Sequence, residues 1–161
     1  MRGGALLTCG VAALAAVVSA QQPAPFDGAQ GKRTPDIHFT PTRHNIADAM
    51  LQLAGVTATD VVYDLGSGDG RIPIIAAQKY GARGVGIEID PGLVELSGRN
   101  ANDAEVAHRV KFIAGDLFTA DLSEATVITT YLSHSMMKLL EPTFRGLAKG
   151  TRIVSHQWPM A

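Results

Sequence analysis

The chain has 161 residues, 46% of them apolar, and a formal charge of −1 at neutral pH. That length fits one domain around a single core. The near balance of charge excludes a global attraction to nucleic acid or to an anionic membrane, so no nucleic-acid partner is expected. The single cysteine, Cys9, excludes an intramolecular disulfide framework and a cysteine-based metal centre, and no metal is expected.

Residues 1–20 differ in kind from the rest. Arg2 gives a positive start, residues 5–18 are an apolar run, and Val18-Ser19-Ala20 offers small residues for cleavage before Gln21. This pattern predicts a signal peptide and an exported protein, periplasmic or secreted. The run is shorter than the roughly 20 residues that cross a bilayer, so no permanent span is expected; the alternative is anchoring through residues 5–18. Residues 21–38 hold three prolines and no periodicity, a flexible lead-in. The folded domain is expected over residues 39–161.

Thr42 is placed as N-cap of a first helix with Ile46, Met50, Leu53 and Ala54 on one face and Gly55 as its stop. A strand over 60–64 leads into the turn Gly66-Ser67-Gly68-Asp69-Gly70, and a helix over 71–80 closes at Gly81, with Pro73 in its first turn. Val85, Ile87 and Ile89 alternate in a second strand that ends in Glu88-Ile89-Asp90. Asp90-Pro91 caps a helix carried by Leu93, Val94, Leu96, Ala101 and Ala104. Strands follow over 110–114 and 125–132, then helical material over 136–147 expected to break at Pro142, then a strand over 151–156.

Strands alternating with helices at this spacing predict an α/β fold, a doubly wound, mainly parallel Rossmann-like sheet with helices on both faces. Ligands in such sheets bind beyond the C-terminal strand ends. The polar tips there are 64–70, 88–90, 115–117, 130–134 and 155–158.

A glycine turn between strand and helix is expected to offer backbone N–H groups and the positive helix end to a ligand. A dinucleotide fingerprint needs its third glycine where Arg71 stands, which weakens an NAD reading. Asp64, two residues before Gly66, suits a ligand with cationic charge, and S-adenosylmethionine combines a sulfonium with an amino acid group. Gly66, Ser67, Gly68 and Gly70 are the candidate cofactor turn. Glu88 is placed to accept from the ribose hydroxyls, Ile89 to pack on the adenine, Asp116 to accept the adenine amine and Leu117 to cover the ring.

The three motifs Asp64-Leu65-Gly66-Ser67-Gly68-Asp69-Gly70-Arg71, Gly86-Ile87-Glu88-Ile89-Asp90 and Gly115-Asp116-Leu117 together resemble the class I, seven-strand S-adenosylmethionine-dependent methyltransferases. Phe39-Thr40-Pro41-Thr42 and Arg152-Ile153-Val154-Ser155-His156 are similar to bacterial relatives of protein-lysine methyltransferases of the ATP synthase c-subunit type. The resemblance implies methyl transfer to a substrate nucleophile, with a protein lysine as the expected acceptor. It also implies a C-terminal antiparallel strand pair that this chain lacks, so the chain is expected to be a fragment.

For handling the substrate, Tyr131 and His134 are the candidate catalytic residues, with His156 as a further proton acceptor and Trp158 at the substrate mouth. Thr129-Thr130-Tyr131-Leu132 stands where many relatives carry an acidic or Asn-Pro-Pro-Tyr motif, which disfavours an amide nitrogen or a base as acceptor. The competing reading is a non-catalytic module binding a nucleoside or S-adenosylmethionine, since export would take the protein away from a plentiful supply of the cofactor.

Overall fold

The computed structural model describes residues 39–157. The expected signal peptide, the anchoring alternative, the lead-in and Trp158 lie outside the described residues. In chain order the elements are α1 (His44–Leu53), β1 (Val61–Leu65), α2 (Arg71–Tyr80), β2 (Arg83–Glu88), α3 (Pro91–Asp103), β3 (Val110–Ala114), β4 (Val127–Thr130), α4 (His134–Arg145) and β5 (Arg152–Ser155).

The strands pair in parallel as one sheet in the order β3-β2-β1-β4-β5. The chain winds outward from β1 through β2 to β3 and then returns to β4 on the other side of β1. That reversal opens a crevice above the C-terminal ends of β1 and β4, the place where such sheets take ligands.

Both faces of the sheet are covered. Val62, Val127 and Val154 pack under α1 and α2 with Met50, Leu51 and Ile75. On the opposite face Val61, Tyr63, Leu65 and Ile128 pack with Met137, Leu140 and Phe144 of α4. Leu65 and Ile128 have no exposed surface, and each such side chain contributes about 1.5–3 kcal/mol by burial. β2 is buried on both faces from Gly84 to Glu88. Its glycines permit this, since a Cβ on Gly84 would lie 2.8 Å from Pro73 and one on Gly86 2.5 Å from the Ser67 hydroxyl. Alternation in β2 therefore reflects close helix approach and not a solvated face.

Most elements lie where the sequence places them, and the departures have physical reasons. Leu53 is 80% exposed, and α1 buries Ala47, Met50 and Leu51 instead. Thr42 is buried ahead of Arg43, which takes the N-cap position without a side-chain bond. β1 begins one residue later than expected because Asp60 accepts hydrogen bonds from Thr57 and Thr126. β2 ends at Glu88, leaving Ile89 outside the ladder. β4 is shorter than 125–132, with Leu132 turned into the apolar cluster beside α4. α4 runs unbroken through Pro142. Pro142 and Lys138, four residues earlier, are both exposed, so the carbonyl that loses its partner lies on the solvent side of the helix. The cap at Asp90 forms as expected, accepting from the Gly92 amide at 2.8 Å.

Candidate active site

The crevice is a cavity of about 560 Å³. Every expected tip contributes to its lining: Asp64, Gly66 and Ser67; Glu88, Ile89 and Asp90; Gly115 and Leu117; Tyr131; and Gln157. Gly68, Gly70, Asp116, His134 and His156 are not on its wall.

Asp64 is 4% exposed and lies opposite Thr129 in the β1–β4 ladder. The Thr129 hydroxyl donates to Asp64 Oδ1 at 2.7 Å. Burial pushes the Asp64 carboxyl up to about 7, against the Thr129 hydrogen bond, and the neighbouring Glu88 charge pushes the same way as burial. A carboxylate held in this condition gains most from a cationic neighbour.

Glu88, at the end of β2, is also buried. Its Oε2 accepts from the Gly68 amide at 2.8 Å and its Oε1 from the Asp90 amide at 3.0 Å. These bonds fix the side chain, while each oxygen retains a lone pair for a ligand hydroxyl.

Most amides of the glycine turn are used within the protein. The amides of Gly66 and Ser67 both donate to the Ile87 carbonyl, that of Gly68 to Glu88, and that of Gly70 to the Ser67 carbonyl. At the start of α2, Asp69 accepts from the Arg71 amide at 3.3 Å. The amides of Asp69 and Ile72, both on the cavity wall, are not among these donors, so the turn offers a ligand few free amides and also serves by shape. Gly66, Gly68 and Gly70 all have positive φ, and at Gly70 a Cβ would lie 2.6 Å from both Phe112 and Ser97. The carboxylates on the wall are Asp64, Asp69, Glu88 and Asp90. A pyrophosphate would meet acidic groups and mostly committed amides, which disfavours a dinucleotide on grounds independent of the glycine count.

Ile89, Leu93 and Leu117 add apolar wall to this acidic rim. Asp116 Oδ1 accepts from the Phe118 amide at 2.9 Å, while Gly115 and Leu117 on either side line the cavity. Tyr131 lines the cavity and rests against His156, ring centroids 4.3 Å apart. His156 Nδ1 is buried without a hydrogen-bond partner. His134 is the exposed first residue of α4, outside the cavity wall.

Some wall residues carry no signal in the glycine motif. Phe39, Thr40, Pro41 and Thr42 all line the cavity. The Phe39 ring sits over Gly68, where a Cβ would overlap it. Arg71 donates to the Thr42 carbonyl at 2.7 Å and to Asp69 through Nε at 2.8 Å. Thr129 was likewise hidden, because only the strand register sets it beside Asp64.

The residues present fit S-adenosylmethionine. Asp64 offers charge to a cation and Glu88 spare acceptors to a diol. Ser67 lines the same wall, with its hydroxyl buried against Gly86 and without a hydrogen-bond partner.

Residues 64–161 match the family described as ANTKMT methyltransferase domain. A protein-lysine N-methyltransferase of Saccharolobus islandicus is 37% identical over 126 residues, 77% of this chain and 78% of that protein. The adenine nucleotide translocase lysine N-methyltransferase of Mus musculus is 36% identical over 99 residues, 60% of this chain but 43% of the longer relative. Among solved structures, an RNA methyltransferase from Salinibacter ruber in complex with S-adenosyl-L-homocysteine is 56% identical, with a TM-score of 0.74 over 75% of this chain and 80% of that one.

Proposed function

The chain belongs to the ANTKMT family of S-adenosylmethionine-dependent methyltransferases, and from that premise we propose that it methylates the side-chain amine of a protein lysine. The observation that carries the proposal is the acidic wall at the β1–β4 crevice, where Asp64 and Glu88 are buried together. Such a wall suits a cationic cofactor and attracts a lysine ammonium, which must give up one proton to solvent before its nitrogen lone pair can take the methyl group.

S-adenosylmethionine, when bound, supplies a sulfonium-activated methyl group whose bond to sulfur breaks as the bond to nitrogen forms. The chain's own residues bind and orient. Asp64 balances positive charge, and the Thr129 hydroxyl holds its carboxylate in place. Glu88 accepts from a diol while Gly68 and Asp90 fix its angle. Ile89 and Leu117 exclude water from the flat face of the ligand. Tyr131, on the wall near the end of β4, orients the acceptor amine. Rate in such a site comes chiefly from placing the two reactants together in a dry cavity. Asp116 shapes the 115–118 turn, and His134 is left outside the machinery.

The name of the Salinibacter ruber relative favours a second reading, RNA as acceptor. A polyanion gains affinity from phosphate contacts with lysine and arginine. Here the wall presents carboxylates, and Arg71 is already tied to Asp69 and Thr42. Protein lysine is therefore the better fit.

Incubating the purified chain with methyl-labelled S-adenosylmethionine and, separately, with protein extract and with total RNA tests the two readings. Label in lysine, identified by mass spectrometry of tryptic peptides, supports the proposal. Label in RNA alone overturns the substrate, and no label in either overturns the activity. We also propose export through residues 1–20, supported by the sequence pattern there; an intact Met1 on cytoplasmic protein, found by N-terminal sequencing, would contradict it.

A further inference from the structure

We infer that residues 39–42 form a strap that closes one side of the cofactor cavity and that Arg71 is the residue positioning it. The inference rests on the cofactor reading above.

Four consecutive residues ahead of α1 line the cavity, so this side of the wall is made by a segment and not by the sheet. Two contacts seat it. At one end the Phe39 ring lies over Gly68, a fit that any side chain at position 68 would abolish. At the other end Arg71 Nη1 donates to the Thr42 carbonyl at 2.7 Å. The rest of the guanidinium is fixed by Asp69, which takes Nε at 2.8 Å and Nη2 at 2.5 Å. Asp69 is itself anchored, its carbonyl accepting from the Asn100 side chain at 2.9 Å.

The chain thus has a continuous connection from α3 through the glycine turn to the strap. A planar, permanently charged fork suits this task, because two of its nitrogens set the plane and the third reaches the strap carbonyl. It also explains why arginine follows the third glycine. Residues 39–42 supply the part of the wall that neither the sheet nor the glycine turn provides.

A strap of this kind acts on cofactor release and water access, not on the chemistry of the acceptor. Arg71→Ala is expected to raise the dissociation constant for S-adenosylhomocysteine about tenfold, the loss of a charged hydrogen bond. It should also speed hydrogen exchange at the amides of Ile46 and Ala47, which donate to the Arg43 carbonyl directly after the strap, in the protein without ligand. Arg71→Lys, which keeps the charge and one donor but loses the fork, should recover part of both. Phe39→Ala, remote from the Arg71 hydrogen bonds, should weaken binding in the same direction. The double variant should lose less than the two single losses multiplied, because both residues hold one segment.

The measurements are calorimetric titration and hydrogen exchange on the purified full chain. Wild type that fails to bind S-adenosylhomocysteine overturns the cofactor reading. Wild type that binds, with Arg71→Ala leaving the Ile46 and Ala47 amides as protected as before and the two losses multiplying in full, overturns the strap alone.

Discussion

Thr129 and Asp64 face one another across β4 and β1, both buried, with the threonine hydroxyl 2.7 Å from the carboxylate. This bond favours the charged form of a carboxyl that burial pushes up to about 7. Thr129→Val keeps the shape and removes the donor. The Asp64 carboxyl should then titrate higher still, and S-adenosylmethionine affinity at pH 7 should fall about tenfold, as expected for a hydrogen bond to a charged group. Calorimetric titration between pH 6 and pH 9 checks this, the deficit narrowing at high pH.

Asp64 also sets a dependence of stability on pH. Its folded pKa lies above the ordinary value of 3.8, so its contribution is fully present below about pH 4 and is lost as pH rises through 7. Asp64→Asn should therefore stabilise the ligand-free protein at pH 8, by on the order of 1–3 kcal/mol, and much less at pH 4. The same variant should bind S-adenosylmethionine poorly. Thermal melts at the two pH values, with and without cofactor, separate the effects.

Asp60, at the other end of β1, has the opposite sign. Burial raises its pKa, but bonds from Thr126 and Thr57 and the nearby Arg152 charge outweigh that and leave it lowered. Its contribution is present above about pH 4 and lost as pH falls further. Arg152 also donates to the Ala54 carbonyl at 2.7 Å, tying β5 to the end of α1. Arg152→Ala should cost about 1–3 kcal/mol in urea unfolding while cofactor affinity stays unchanged, since this network lies at the far end of the strands from the cavity.

Gly68 combines a φ of +55° with the Phe39 ring on its open side. Gly68→Ala should destabilise the protein and weaken cofactor binding. Adding Phe39→Ala should relieve the overlap but not the backbone strain, which costs roughly 1–2 kcal/mol. Melting temperatures of the two single variants and the double variant measure the split.

The sheet was legible because its signals are local. Asp90-Pro91 caps α3 and Gly81 closes α2 where the residue types place them. α4 was not, because whether Pro142 breaks a helix depends on solvent reaching the Lys138 carbonyl, which no local pattern records. The acidic members of the site, Asp64 and Glu88, were legible from their distance to the glycines. The use of those glycines was not. Their amides turn back on Ile87 and Glu88, a commitment made by the β1–β2 register. Arg71 was visible as an interruption of a dinucleotide motif, but its bond to Thr42 spans 29 residues and needs the fold. The bond of Asp116 to the Phe118 amide is local, within its own turn.

Asp64 and Glu88 are buried on the wall of the cavity that we propose holds the cofactor. Calorimetric titration of S-adenosylmethionine into the wild-type chain, and into Asp64→Ala and Glu88→Ala variants shown by circular dichroism to be folded, tests this directly. One site is expected in the wild type, with a loss of affinity of at least about tenfold in each variant. A folded wild type that takes up no cofactor, or variants that bind as tightly as wild type, would contradict it.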